Sequence, residues 1–306
     1  MTDRPLPCAE VPSFPVQDQI NRTFAQAAGL WRRVTPKRAV LFYGRALIRP
    51  GATLTWLRHL DRLAGQHDLG APDDALLQKP LSKFLCHGLP TRRRLELVCG
   101  HFDLAATLMT PAAMAASWRG AHVPLGQVAG RTDAYALTLA LADCAGGRHE
   151  GGHALALTRL SDGIELCSLK FLLIDGPQGV TAVIGGVQGS EGAKRAVIEA
   201  TRDLGGLRPK EALLLVIQGL IATGGAEGCL AVASDRLTIR YRRRRRQALL
   251  KADVDAFWRD RRATPDAEFG FLVPWSGLTG NKPRDRAKRA FAELGQALRR
   301  DGGQTR

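Results

Sequence analysis

The stretch from Leu173 to Ala222 constrains the fold more than any other, because it ends in a helix with no face for water. Thr181 to Val187 is a short apolar run of strand character, and Gly185, Gly186, Gln188 and Gly189 read as a turn whose backbone suits an anion. Ser190 stands where it can cap a following helix. On that helix Ala193, Val197, Ala200 and Leu204 recur at helical spacing, while Lys194, Arg195 and Arg202 take the other edge. Gly205-Gly206 ends it. Pro209, with Glu211 close behind, opens a second helix that runs to Gly224-Gly225 with apolar residues on nearly every face. Such a helix must be covered all round, so it demands a layered core. Its longest apolar run, Ala212 to Ala222, is about half the roughly 20 residues that cross a bilayer and is interrupted by Gln218, which makes it a core helix.

The neighbouring segments supply the layers. Residues 1–50 are loop-rich with one predicted helix from Val16 to Arg33, and residues 51–130 are mainly helical by the spacing of Leu54, Trp56, Leu57, Leu60 and Leu63. From Tyr135 the period changes toward two. Ala154 to Leu160, the turn Ser161-Asp162-Gly163 and Ile164 to Ile174 read as a β-hairpin with Asp-Gly as its turn signal, and Cys229 to Ser234 reads as a strand after the buried helix. The expected fold class is α+β: a helical N-terminal part packed on a mostly antiparallel mixed sheet of five to seven strands within residues 131–306, separate from the helical region or continuous with it.

Charge and cysteines bound the partners. The net charge is +15, and from Arg236 to Arg306 there are 19 Lys and Arg against 8 Asp and Glu, so most of the excess is C-terminal. That balance points to an anionic lipid surface, lipopolysaccharide precursors or nucleic acid as partners of a noncatalytic basic protein, with the run Arg242 to Arg246 as the contact. Arginines outnumber lysines 35 to 9, the pattern of a compositional bias that merely solvates a surface. Met1 to Pro15 lacks the apolar core of a signal peptide, and six dispersed cysteines without a C-x-x-C pair fit reduced thiols, so a cytoplasmic or membrane-peripheral location is expected.

Two constellations imitate catalytic motifs. Residues 149–153 spell His-Glu-Gly-Gly-His, the formal zinc-protease pattern, but two adjacent glycines each cost about 1 kcal/mol inside a helix and a strand pattern follows at once. The segment is therefore read as a turn entering the hairpin, with no metal assigned. Cys86-His87, and Cys99 with His101, offer thiols beside imidazoles in sequence only. No Walker loop, Rossmann fingerprint or G-x-S-x-G is present.

Several blocks resemble the VirK/YbjX family. They are Lys79-Pro80, Phe84-Leu85, Arg94, His101-Phe102, Glu150-Gly151, Gly186-Val187-Gln188-Gly189, Ala200-Thr201-Arg202, Leu207 to Lys210, Asp255 to Trp258, Pro274 and Lys288 to Ala290. Val254 stands where the family commonly has tyrosine. The resemblance implies association with envelope integrity, virulence or resistance to antimicrobial peptides, and a distant similarity to acyltransferases of the GNAT type, whose mixed sheet feeds a glycine turn into a helix N-terminus. It further implies an acyl-CoA cofactor held near Gln188, Gly189, Lys194, Arg195 and Arg202, with Arg208 and Lys210 as second candidates, and an amine or lipid-linked acceptor. Asp255 is the candidate base, with Trp258 beside it and Lys288 as a neighbouring cation. Glu191 would repel an anion at that turn.

Overall fold

The computed structural model describes residues 40, 42–44, 47–77, 79, 83–221, 226–241 and 253–300. The chain forms two compact units, residues 1–58 and 59–306. What is described of the first is largely helical, and helix α1 (Pro50–His67) crosses the boundary. The predicted helix from Val16 to Arg33 and the arginine run Arg242 to Arg246 lie outside the described residues.

The second unit is α+β, as expected. Helices α2 (Asp74–Leu77), α3 (Thr91–Leu108) and α4 (Pro111–Trp118) precede an eight-stranded sheet. Its strands are β1 (Val123–Ala129), β2 (Ala134–Leu141), β3 (His153–Arg159), β4 (Glu165–Gly176), β5 (Gly179–Gly189), β6 (Gly228–Val232), β7 (Thr264–Pro265) and β8 (Gly270–Pro274), in spatial order β1-β2-β3-β4-β5-β6-β8-β7. Every neighbouring pair is antiparallel except β5 and β6, which are parallel and joined through α5 (Lys194–Asp203) and α6 (Pro209–Ile221). Helices α7 (Val254–Arg259) and α8 (Pro283–Leu298) follow.

Local chemistry explains these elements. In β2 the side chains Tyr135, Leu137 and Leu139 are buried at period two, and the β3–β4 turn has Gly163 at φ 69 with the Ile164 N–H donated to Asp162 Oδ1 at 3.1 Å. Strand β1 lies within the region expected to be helical. Pro124 and Gly126 disguise it, and an edge strand with a register shift at those residues tolerates both. Asp203, at the end of α5, holds the β1–β2 turn: its carboxylate accepts from Thr132 N at 2.8 Å and from Tyr135 OH at 2.9 Å. In α6 ten residues, from Pro209 to Ile221, are buried, in line with its apolar sequence; it packs on β3, β4, β5 and α8.

The glycine segment differs from its reading as a turn. Gly186, Gln188 and Gly189 continue β5 and pair with Lys170, Ser168 and Cys167 of the long strand β4, and a register shift makes Gly185 a bulge. The turn comes after them, at Ser190 to Ala193. Ser190 does not cap α5; its hydroxyl donates to Glu165 Oε1 at 3.2 Å, and the N-cap position falls to Ala193.

Candidate functional site

The parallel strands β5 and β6 stay together for two residue pairs only, Val183 with Leu230 and Ile184 with Ala231. Beyond them residues 185–189 of β5 run on without a partner in β6. A split at the carboxyl ends of parallel strands is where open α/β sheets receive ligands. Residues 84–88 wedge into its floor: Leu85 N donates to His149 O at 2.8 Å, Cys86 bridges to Leu237, and His87 N donates to Arg236 O at 2.7 Å. Leu85 is fully buried at φ 60, a left-handed conformation that a bulky residue adopts only when its surroundings impose it.

One face of the β5 end is built by glycines that interlock. A Cβ at Gly185 would overlap the Glu150 carbonyl oxygen, one at Gly151 would press on the Phe171 backbone, and one at Gly152 would overlap the His101 ring. Residues 147–152 therefore lie directly on β4 and β5, and Glu150 is delivered over Gly186. Its carboxylate accepts from Gln188 Nε2 at 3.1 and 3.2 Å. In register with Gly186 and Gln188 stand Lys170, 3% exposed, and Ser168; Lys170 Nζ donates to Ser168 Oγ at 2.8 Å. Burial pushes the Glu150 carboxyl up and Lys170 opposes that shift; burial pushes Lys170 down and Glu150 opposes that one. This acid-amide-lysine group at the mouth of the split did not emerge from the sequence as a site, although Glu150 and Gln188 both fall in motifs noted there.

Behind it lie polar groups that serve the fold. Lys79 Nζ is buried against Asp143 and donates to Gly151 O at 2.9 Å; burial lowers the lysine and raises the carboxyl, each opposed by the other. His153 opens β3 and meets His101 of α3 at 2.8 Å, while its other nitrogen is 3.1 Å from Ser117 Oγ. The partners fix the direction of this chain. Leu173 N–H donates to His101 Nδ1 at 2.8 Å, so His101 carries its proton on Nε2 and gives it to His153 Nδ1. His153 Nε2–H then donates to Ser117 Oγ, whose hydroxyl proton goes to Met114 O at 3.1 Å. Both imidazoles are neutral, burial holding His153 down at about 3 and His101 well below its ordinary value. His149 sits in a turn, its Nδ1 3.1 Å from Lys83 O, so the two histidines of the zinc-like motif do not share a helix face. Among the described residues no group of His, Cys, Asp or Glu is arranged to hold a metal ion. Burial pushes Cys86 and Cys99 up to about 12, the reverse of an activated thiol.

The opposite face of the β5 end is cationic. Gly189 and Cys167 point away from the Gln188 side, and Lys210 at the start of α6 reaches Gly189 with its Cε. Lys210 Nζ lies 5.7 Å from the Phe257 ring centroid and the Arg261 guanidinium 3.6 Å from it. Asp255, two residues before Phe257, accepts from Ser234 N at 2.8 Å and from Ser234 Oγ at 2.6 Å, which ties α7 to the residues after β6. Trp258 is buried edge-on to Phe257, and its indole N–H has no hydrogen-bond partner among the described residues. Arg208 stands 4.0 Å from Asp260. The other predicted cations lie elsewhere. Lys194, Arg195 and Arg202 line an open hollow on the outer side of α5, where Arg195 is 92% exposed and paired with Glu199 at 2.8 Å. Lys288, on α8, donates to Gly277 O at 3.4 Å. The structure thus gathers Gln188, Gly189, Lys210 and Asp255 about the split and sets the α5 residues and Lys288 apart.

A family model described as a protein of unknown function (DUF535) matches residues 31–278. No curated protein and no solved structure matches the chain. Among the described residues no helix is long and apolar enough to cross a membrane.

Proposed function

The chain belongs to the DUF535 family of proteins of unknown function, also known as VirK/YbjX, and from that membership we propose that it transfers an acyl group from a phosphate-bearing thioester such as acyl-CoA to an amine. The observation that carries this reading is the parting of β5 from β6 with Glu150 and Gln188 at its mouth. A thioester lying in the split would present its carbonyl to an amine entering on the Glu150 side. The amine nitrogen bonds to the carbonyl carbon, the carbon–sulfur bond breaks, and the thiolate leaves. A carboxylate raised by burial is suited to take the proton that the attacking amine sheds. Asp255, both of whose oxygens are engaged by Ser234, acts in this reading as a positioning residue for α7 rather than as the base. The acceptor in this proposal is an amine on an envelope lipid or peptide, the class that the association implied by the VirK/YbjX resemblance would favour.

Calorimetric titration with acetyl-CoA and longer acyl-CoA thioesters tests the donor. Heat of binding is expected at submillimolar ligand, and its absence at millimolar ligand would sink the reading. Glu150→Gln is expected to keep donor binding and to slow acyl transfer to a model amine by about 100-fold or more.

A further inference from the structure

We infer that Lys210, Phe257 and Arg261 form a binding site for the phosphoryl group of a small organic phosphate, whose organic part lies in the cleft beside Arg261. The inference does not depend on acyl transfer. Lys210 and Arg261 flank one aromatic ring, and among the described residues neither forms an ion pair. Arg261 Nη1 donates to Phe257 O at 2.7 Å, while its Nε is buried without a partner among the described residues. The acids near Arg261 are shared with other cations. Glu211 accepts from Arg284 at 3.0 Å with both oxygens, and Asp260 faces Arg208. Burial lowers Lys210, and the Arg261 charge lowers it further with no carboxylate opposing; burial lowers Arg261 too, where Glu211 and Asp260 oppose the shift, so the charge that an arriving anion relieves is centred on Lys210.

A cleft of about 340 Å³ adjoins Arg261, walled by Leu214, Leu215, Val273 and Trp275, with Arg262 and the carboxylates of Glu211 and Asp260 also on its lining. Arg262 has φ 59, like Leu85 a left-handed residue that is not glycine. Its volume suits a small molecule, not a polymer. The contrast with α5 is physical: its cations are exposed and Arg195 is already paired, so water and Glu199 solvate them, whereas Lys210 and Arg261 are half-buried and open.

The test is calorimetric titration of the full chain with pyrophosphate at constant ionic strength, with sulfate as the competing anion and phosphatidylglycerol vesicles as a second arm. Wild type is expected to bind pyrophosphate at least ~10-fold more tightly than sulfate, and Lys210→Met and Arg261→Gln each to weaken it ~10-fold or more. The double variant Lys194→Ala/Arg195→Ala is expected to bind within about twofold of wild type. Without ligand, Lys210→Met is expected to melt no lower than wild type, because it removes a charge nothing balances. Equal affinity for sulfate, undiminished binding by Lys210→Met, loss of binding in the α5 variant, or vesicle binding that pyrophosphate does not displace would each overturn the assignment.

Discussion

At the residue scale the clearest consequence concerns His101 and His153. Each accepts at Nδ1 from a fixed N–H donor, so a second proton has nowhere to go and both are held neutral in the fold. The unfolded chain binds protons at these groups below pH 6.5 and the folded chain does not. Their stabilisation is therefore fully present above pH 6.5 and is lost as the pH falls below it, for His153 down to about 3, at about 1.4 kcal/mol per pH unit for a titrating histidine. Urea midpoints for wild type and His153→Leu between pH 7.5 and 5 are expected to converge as the pH drops; parallel lines would show that His153 is not buried neutral. The pair Lys79–Asp143 behaves differently, since removing one member strands the other. Lys79→Met is expected to cost about 3–5 kcal/mol by chemical denaturation, and Lys79→Met/Asp143→Leu to recover most of it.

At the element scale the interlock of residues 147–152 with β4 and β5 decides the site. Gly185→Ala meets backbone at Glu150, which cannot rotate away, so a loss of about 3 kcal/mol or more is expected together with displacement of Glu150 from Gln188. Denaturation curves and the titration of Glu150 followed by NMR check both parts. The same glycines explain what the sequence conceals. A run such as Gly185-Gly186 signals a turn locally, but in a strand it marks a bulge or the close approach of another backbone, and only the tertiary partner distinguishes them. The hairpin through Asp162-Gly163 and the helix opened by Pro209 were legible because their signals are local. Glu150 and Gln188 lie 38 residues apart, and no spacing rule joins them. The zinc-like motif misleads for a related reason: its glycines are there for packing, and its second histidine belongs to the core.

At the scale of the whole molecule, α+β class and the antiparallel sheet followed from periodicity, whereas the extent of the sheet did not. Strand β1 hides behind Pro124 and Gly126, and the two-residue strand β7 is too short to leave a pattern. The C-terminal excess of charge did not identify a site either. What singles out Lys210 and Arg261 is partial burial without a direct ion pair among the described residues, which composition cannot express. Strands β1 to β5 follow one another in space as in sequence, so they close through local connections, while β6 waits on two intervening helices. With two residue pairs to join them, the β6–β8 portion and the five-strand meander are expected to open as separate cooperative units. Native-state hydrogen exchange should find β6 and β8 amides releasing at a lower free energy than those of β3 and β4. A chain that parts first along that seam would admit a ligand by breathing, with no lid to lift, and an occupied split would be read out as slowed exchange on both of its banks.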